Sequence, residues 1–205
     1  MTTHGVPPHP LPWPTGDQYD PQLLAEGDPR NVEDRYRYWT VTAIRLDMSK
    51  RAFPVEIAIE NWQHDFNIGT IVRNANAFNV RKVHIIGKRH WNRRGAMMTE
   101  QYLPVVHHPD ISSFISATHH LHRVAVDNLP GAVESTQYEY ASDTVYVFGG
   151  EGPGISDELR IHCEMMIKIP QYGSTRSVNV GVASGILLYK WVETYTNSSK
   201  IEQKA

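Results

Sequence analysis

Short apolar runs alternate with amphipathic stretches along most of the chain. Each run is rich in β-branched residues and stops at glycine, proline or polar residues, which is typical of buried strands. The predicted strands are Phe53–Glu60, Val83–Ile86, Arg123–Val126, Val145–Phe148 and Met165–Ile169. Helical patterns separate them, and this alternation predicts an α/β fold with a parallel, doubly wound sheet. Ligands bind such sheets at the carboxyl ends of the strands.

Asn67 begins a predicted helix with an unusual polar face. Apolar residues recur at helical spacing and form one stripe: Ile68, Ile71, Val72, Ala75 and Phe78. Arg73, Asn74 and Asn76 fall off that stripe. A second helix is predicted over 110–118, and 133–140 is predicted to be an irregular connection.

The last predicted helix, 178–195, is apolar nearly all round. Its apolar residues do not fit one stripe: Val178, Val180, Val182, Ala183, Ile186, Leu187, Leu188, Tyr189 and Trp191. A helix of this kind is buried on two sides, so we expect one side to face its own sheet and the other a second chain.

The N-terminal region has a different composition. Residues 1–27 are rich in proline and are expected to be mobile or draped over the protein. Asp28 and Pro29 resemble a helix start, followed by apolar residues at helical spacing: Val32, Tyr36, Trp39, Ala43 and Leu46. Arginines on this helix suit either an RNA backbone or simple solvation. We therefore expect an extension at 1–52, a catalytic domain at 53–196 and a polar tail at 197–205.

Composition narrows the class of protein only loosely. The chain has 205 residues, of which 40% are hydrophobic, and a net charge of −2, so nucleic acid could be bound only through local basic patches. Its single cysteine, Cys163, suits a reducing compartment and is expected in the core. No apolar run is long enough to span a bilayer, and no leader is evident. A cytoplasmic location without membrane contact is expected.

Eleven histidines raise the question of a metal site. The densest groups are His107-His108 and His119-His120 with His122. No cysteine or acidic ligand accompanies them at a recognisable spacing, so surface histidines and no metal are expected.

A glycine-rich turn and a polar turn that contains asparagine follow the last two predicted strands. The first, Gly149–Gly154, lacks the Gly-Lys-Ser/Thr of a P-loop, and Ile155 breaks the dinucleotide pattern G-x-G-x-x-G. It reads G-x-E-G-x-G, and 169–180 reads I-P-x-x-G-x-x-x-S-x-N-V. The helix at Asn67 begins N-x-G-x-x-x-R-x-A. In their order along the chain, with the Asn67 motif first, the three motifs resemble those of the SpoU-type (TrmH-like) ribose methyltransferases of the SPOUT class.

The resemblance implies a single parallel-sheet SPOUT domain with a C-terminal trefoil knot, acting as a homodimer. It implies transfer of a methyl group from S-adenosyl-L-methionine to a ribose 2'-hydroxyl of tRNA or rRNA. Matching motif positions implies that the cofactor is held by Gly149, Gly150, Gly154, Ile169 and Val178. The implied catalytic set is Asn67, Arg73, Glu151, Ser177 and Asn179.

Arg73 matches an arginine that the family view often makes the general base. A guanidinium is effectively always protonated. We therefore expect Arg73 to grip a phosphate of the target nucleotide and to stabilise the developing alkoxide, while the proton leaves to a phosphate oxygen or to water.

A basic segment follows the predicted strand Val83–Ile86. Its cations surround an indole, which suits phosphate contacts and base stacking. The candidate RNA-binding residues are Lys88, Arg89, Trp91, Arg93 and Arg94, with Arg176 in the later turn. The alternative is an exposed basic loop with Trp91 partly tucked in.

Gly150 stands where these enzymes often have asparagine. Together with the absence of overall positive charge, it leaves open a second function, a non-catalytic RNA-binding or assembly protein on the same scaffold. The presence of every polar motif residue favours the enzyme.

Overall fold

The computed structural model describes residues 5–62, 67–150, 152 and 154–202. The chain divides into two compact units between Arg51 and Ala52.

The N-terminal unit differs from the helix predicted there. It contains α1 (Pro21–Glu26), a 3-10 turn (Asp34–Tyr36) and α2 (Val41–Lys50). Asp28 does not begin a helix, because its buried carboxylate accepts hydrogen bonds from the Arg30 guanidinium and the Tyr38 amide. Tyr38 has a φ of 63°, which interrupts helical backbone, and Thr40 then caps α2. Within this unit Val6 pairs with Asp28 and Tyr19 with Trp39.

The second unit is built on one seven-stranded sheet in which all neighbouring strands are parallel. The strands are β1 (Phe53–Asn61), β2 (Val80–Gly87), β3 (Val105–His108), β4 (His122–Val126), β5 (Val133–Glu134), β6 (Thr144–Phe148) and β7 (Met165–Lys168). Their order is β3-β2-β1-β6-β4-β7-β5. The predicted parallel α/β fold is confirmed. The short strands β3 and β5 were not predicted, and β5 lies in the segment expected to be irregular.

Helices cover both faces of this sheet. The helices are α3 (Ile68–Ala77), α4 (Ile111–Ala117), α5 (Asp157–Arg160) and α6 (Val180–Glu202). On β1, alternate residues face opposite sides, so Ile57 and Ile59 join the core that includes α3 and α6, whereas Ala58 joins the core that includes α4 and α5. The predicted stripe of α3 is buried, and only its Phe78 is half-exposed.

The last helix is longer than predicted and continues to Glu202. The hydroxyls of Thr196 and Ser198 donate to carbonyls one turn earlier, which satisfies these polar side chains within the helix. Over the part of α6 whose burial is described, one side is buried, and it carries Ala183, Leu187, Leu188 and Trp191. Nowhere in the described residues does a helix combine the length and apolar character needed to cross a bilayer.

The expectation of surface histidines is wrong for His108. Its ring is buried beside His84, with 2.8 Å between His108 Nε2 and His84 Nδ1, and His84 Nε2 lies 2.5 Å from Glu56 Oε2. His119, His120 and His122 are exposed as expected. No group of three potential metal ligands is found within the described ranges. Cys163 packs against the core, and burial raises its thiol pKa to about 11.

Candidate active site

The carboxyl ends of β4, β6 and β7 meet the start of α6 around a cavity of about 420 Å³. This size is typical of small-molecule sites. The predicted residues that line the cavity are Gly149, Gly150, Gly154, Ile169, Ser177, Val178 and Asn179. Its wall combines apolar side chains, such as Val126 and Phe148, with polar ones, such as Asp127 and Asn128.

The glycine turn after β6 folds tightly back on itself. Gly154 pairs with Gly150, and the Gly154 amide donates to the Gly150 carbonyl over 3.2 Å. A Cβ on Gly149 would lie 1.9 Å from the Gly154 carbonyl carbon, so only glycine fits there. The turn therefore presents backbone to the cavity. Glu151, a predicted catalytic residue in this turn, lies outside the described residues.

Two carboxylates hold the segment that leaves the glycine turn. Glu60, at the end of β1, accepts from the Ser156 amide and hydroxyl, each over 2.7 Å. Asp127, after the end of β4, accepts from the Ile155 amide over 3.0 Å. Because β1 and β4 are the two neighbours of β6, the turn after β6 is held from both sides.

The polar turn before α6 is joined to α3 through two asparagines. Asn179 Nδ2 donates to Asn67 Oδ1 over 2.8 Å. Asn179 Oδ1 accepts from the Gly181 and Val182 amides, so the same side chain caps α6. Asn67 precedes α3 without capping it, which leaves its side-chain oxygen for Asn179.

Asn74 makes a second link between α3 and α6. Its Nδ2 donates to the Gly181 carbonyl over 2.7 Å and lies 3.0 Å from the Ser184 hydroxyl. Asn67 and Asn74 are seven residues apart, almost two helical turns, and so lie on one face of α3. These contacts with α6 account for Asn74 on the polar side of the predicted helix.

Arg73 is not brought into the cavity. Its side chain is exposed, and it is not among the residues of the cavity wall. Ser177 is exposed at the cavity, and Arg176 is exposed beside it, with its carbonyl accepting from Asn128 Nδ2. Arg73 is therefore available to a ligand that approaches from outside the cavity.

The basic segment lies against the first turn of α3. A Cβ on Gly69 would lie 2.8 Å from the Ala96 amide nitrogen, and one on Gly95 would lie 3.0 Å from that of Thr70. A Cβ on Gly181 would in turn lie 2.8 Å from Thr70 Cγ2. The start of α3 is thus packed between the basic segment and the start of α6.

Within the basic segment, most of the predicted residues are exposed: Lys88, Arg89, Arg93 and Arg94. Trp91 is half-buried and packs against the core, with the Arg93 guanidinium carbon 5.7 Å from the centre of its ring. This arrangement matches the alternative in which Trp91 is partly tucked in.

A sequence profile described as the SpoU rRNA Methylase family matches residues 54–189. That range holds the glycine turn, the linked asparagines and the basic segment. The chain belongs to the SpoU rRNA Methylase family. The resemblance read from the three motifs is confirmed.

Curated relatives match a large part of this SpoU family member. A 23S rRNA (guanosine-2'-O-)-methyltransferase, RlmB, from Coxiella burnetii is 30% identical over 153 residues, which is 70% of this chain and 60% of the relative. The chain spans about 60% of the length of curated relatives that it matches.

Solved structures show the same fold. A TrmH/SpoU tRNA modifying enzyme from A. aeolicus has a TM-score of 0.67 at 23% identity, over 78% of this chain and 84% of that one. An AdoMet-bound rRNA methyltransferase from Sinorhizobium meliloti has a TM-score of 0.62 at 23% identity, over 71% and 60% of the two chains.

Sequence reasoning missed Glu60, Asp127 and the role of Asn74. Glu60 and Asp127 each end or follow a predicted strand, and that position was the available signal, because carboxyl ends of parallel strands meet at one edge. Their partners, Ser156 and Ile155, are distant in sequence, so no local pattern identifies the pairs.

Proposed function

We propose that this protein transfers a methyl group from S-adenosyl-L-methionine to a ribose 2'-hydroxyl of tRNA or rRNA. The observation that carries the proposal is the cavity between the glycine turn and the polar turn, where the predicted cofactor residues converge with Ser177 and Asn179. Membership in the SpoU family and the rRNA methyltransferase relative support it.

The cavity wall fits this cofactor by its chemistry. Glycine backbone lies beside apolar side chains that suit an adenine ring, and Asp127 adds a carboxylate that can accept hydrogen bonds from ribose hydroxyls. Gly149, Gly150, Gly154, Ile169 and Val178 would hold the cofactor. When bound, S-adenosylmethionine supplies an electrophilic methyl group.

The remaining polar residues orient the RNA ribose. Asn179, fixed by Asn67, and Ser177 offer hydrogen-bonding groups at the cavity. Exposed Arg73 grips a phosphate and stabilises the developing alkoxide, because a guanidinium stays charged and offers two parallel donors. Glu151 belongs to the same proposed set by its motif position.

The basic segment and Arg176 bind the RNA backbone in this proposal. Lys88, Arg89, Arg93 and Arg94 are exposed, and the segment packs on the helix that carries Arg73. Concentrated cations can bind phosphates although the whole chain is slightly acidic. Trp91 contributes from its half-buried position.

The trefoil knot and the homodimer are also part of the proposal. Family membership supports the knot at the polar turn and α6. Exposed apolar side chains on α6 support the dimer: Val182 is 52% exposed, Ile186 44% and Tyr189 58%. They lie at helical spacing and form one apolar stripe opposite the buried side.

We assign the methyltransferase domain to 53–196, with the extension at 1–52 and the tail at 197–205. A cytoplasmic location is proposed with this activity, because a single cysteine suits a reducing compartment. No metal is required for the proposed transfer.

Calorimetric titration with S-adenosylmethionine, together with transfer of labelled methyl groups to bulk tRNA and rRNA, tests the proposal. Saturable cofactor binding and label in alkali-resistant dinucleotides are expected, because a 2'-O-methyl group blocks alkaline cleavage of the next phosphodiester. Cofactor binding without label in either RNA would contradict ribose methylation of these substrates.

If the wild-type chain bound RNA but not the cofactor, the result would instead support the non-catalytic RNA-binding alternative. The variant Gly150→Asn separates the two explanations of such a result. If asparagine restored cofactor binding, the missing side chain would be the cause, whereas no recovery would point to the scaffold as a whole.

A further inference from the structure

Trp62 is an exposed aromatic residue whose orientation is fixed. It follows the end of β1 and keeps 43% of its surface exposed. Its indole Nε1–H donates to Glu60 Oε1 over 2.8 Å, and Glu60 is 1% exposed. A buried carboxylate is a strong and immobile acceptor, so the indole is held in one orientation while part of its ring meets solvent.

One side of the Trp62 ring rests on backbone. A Cβ at Gly87 would lie 2.7 to 3.0 Å from three atoms of the ring, which shows how closely the ring lies on this glycine. Gly87 ends β2 with a φ of 104° and is followed directly by Lys88. The indole is therefore packed on the residue from which the basic segment departs.

Asn61, the neighbour of Trp62, holds the start of the basic segment. Its buried side chain donates to the Lys88 carbonyl over 2.7 Å and to the His90 carbonyl over 3.0 Å. Its carbonyl accepts from the Lys88 amide over 2.9 Å. The exposed Lys88 and Arg89 thus begin beside the indole.

Through its indole nitrogen and Glu60, Trp62 is joined to the segment that leaves the glycine turn. Glu60 binds both the Trp62 indole and Ser156. Trp62 therefore lies between the cations of the basic segment and the cavity. The ring of Trp91, by contrast, packs against the core and against Arg93. Packing on Gly87 alone would not need an indole, since any apolar side chain could cover that glycine.

We propose that Trp62 is an RNA-contacting residue whose exposed surface stacks on a nucleobase of a single-stranded segment, while Lys88 and Arg89 hold neighbouring phosphates. Aromatic side chains held in place are the usual platforms for unpaired bases, and stacking adds affinity without reading phosphates. The inference rests on the proposed RNA function and adds to it a contact outside the three family motifs.

The test measures binding of a labelled, mixed-sequence single-stranded RNA oligomer by fluorescence anisotropy over a salt series. Trp62→Leu still covers Gly87 but cannot stack, and it is expected to weaken binding roughly tenfold, in the range for one lost base stack. The slope of log affinity against log salt should stay unchanged, because no phosphate contact is lost. Trp62→Phe should recover much of the affinity.

Two comparison variants make the result specific. Arg89→Gln should lower the salt slope, as expected for a lost phosphate contact. Trp13→Leu changes a tryptophan of similar exposure, 40%, in the N-terminal unit and should leave affinity unchanged.

Unchanged affinity in Trp62→Leu would overturn the proposal, as would a lowered salt slope, which would mean that the basic segment had moved. Unchanged RNA affinity with an altered oligomeric state would assign Trp62 to contact between copies. Methyl transfer is measured separately. Absence of methyl transfer in the wild-type chain, together with weakened RNA binding in Trp62→Leu, would therefore refute the proposed function but not this contact.

Discussion

Glu60 is a single side chain on which two parts of the site depend. It is buried at the end of β1 and accepts hydrogen bonds from Ser156 and Trp62. Replacing a buried carboxylate with a neutral side chain is costly, because its hydrogen-bond donors stay in place but lose their stronger interaction with a charged acceptor.

We expect Glu60→Gln to weaken S-adenosylmethionine binding and to lower the free energy of unfolding by about 1.5 to 3 kcal/mol. The amide nitrogen of glutamine would face a donor where the carboxylate offered an acceptor. Calorimetry and chemical denaturation measure the two effects. Glu158→Gln, an exposed change on α5, should alter neither. Normal cofactor affinity in Glu60→Gln would show that Ser156 does not shape the cavity.

His108 gives the fold a pH dependence of its own. Burial, followed by the charge of His84, lowers the pKa of His108 to about 4. Because the folded pKa lies below the unfolded value, the unfolded chain takes up the proton first as pH falls. The contribution of neutral His108 is therefore complete above pH ~6.5 and is lost as pH falls towards about 4.

We expect the wild-type chain to lose up to about 3 kcal/mol of unfolding free energy through His108 between those pH values. His108→Gln should flatten this part of the profile, measured by urea denaturation at a series of pH values. Exposed His120→Gln is the control. Burial acts to raise the pKa of Glu56, but the hydrogen bond and charge of His84, together with the cations Lys82 and Arg81, outweigh burial and lower it. The contribution of Glu56 to stability is therefore lost at still lower pH.

An unchanged slope of unfolding free energy against pH in His108→Gln would refute the assignment of this pH dependence to His108.

At the scale of elements, the start of α6 is fixed by one asparagine with two functions. Asn179 caps the helix through its oxygen and holds Asn67 through its nitrogen. The two functions can be separated, because serine is a good N-cap but is too short to reach Asn67.

Asn179→Ala is expected to cost about 1 kcal/mol of stability through the lost cap, whereas Asn179→Ser should keep most of that stability. Both variants should lose methyl transfer, because both release Asn67. Thermal denaturation and transfer of labelled methyl groups give the two readings. Full activity in Asn179→Ser would show that the link between the asparagines has no catalytic importance.

The elements also show what the sequence could predict. Short β-branched and aromatic runs such as Val145–Phe148 and the regular stripe of α3 are local signals, and both were identified. The strand Val105–His108 was missed because its two histidines are not typical of a strand, and it is stabilised by pairing with β2. The helix predicted from Asp28 failed because burial of its carboxylate with Arg30 outweighed a capping signal.

Local sequence signals also predicted part of the site. Residues within the motifs, such as Gly149 and Asn179, were found at the cavity. Glu60 and Asp127 act through contacts with residues far along the chain, and Arg73 proved to lie outside the cavity wall. Motif spacing indicates which residues share a site. It does not indicate which residues at the ends of other strands hold that site in place.

At the scale of the whole molecule, the exposed stripe on α6 determines the expected assembly. Ile186→Glu places a charge in that stripe and should convert a dimer into monomers, since burying an unpaired carboxylate at an interface is costly. Analytical ultracentrifugation measures the change. Lys190→Gln, an exposed change on the same helix, should leave the assembly intact. A wild-type chain that sediments as a monomer would refute the dimer.

The strand order also determines how the protein reaches its native state. β6 lies between β1 and β4 and pairs Val55 with Thr144, so the centre of the sheet is completed by a strand synthesised long after its first neighbour. Pairings between distant parts of a chain make folding slow. Until β6 is synthesised, β1 and β4 each present an edge of unpaired backbone N–H and C=O groups, so the nascent chain is exposed to aggregation for as long as it takes to translate from β1 to β6.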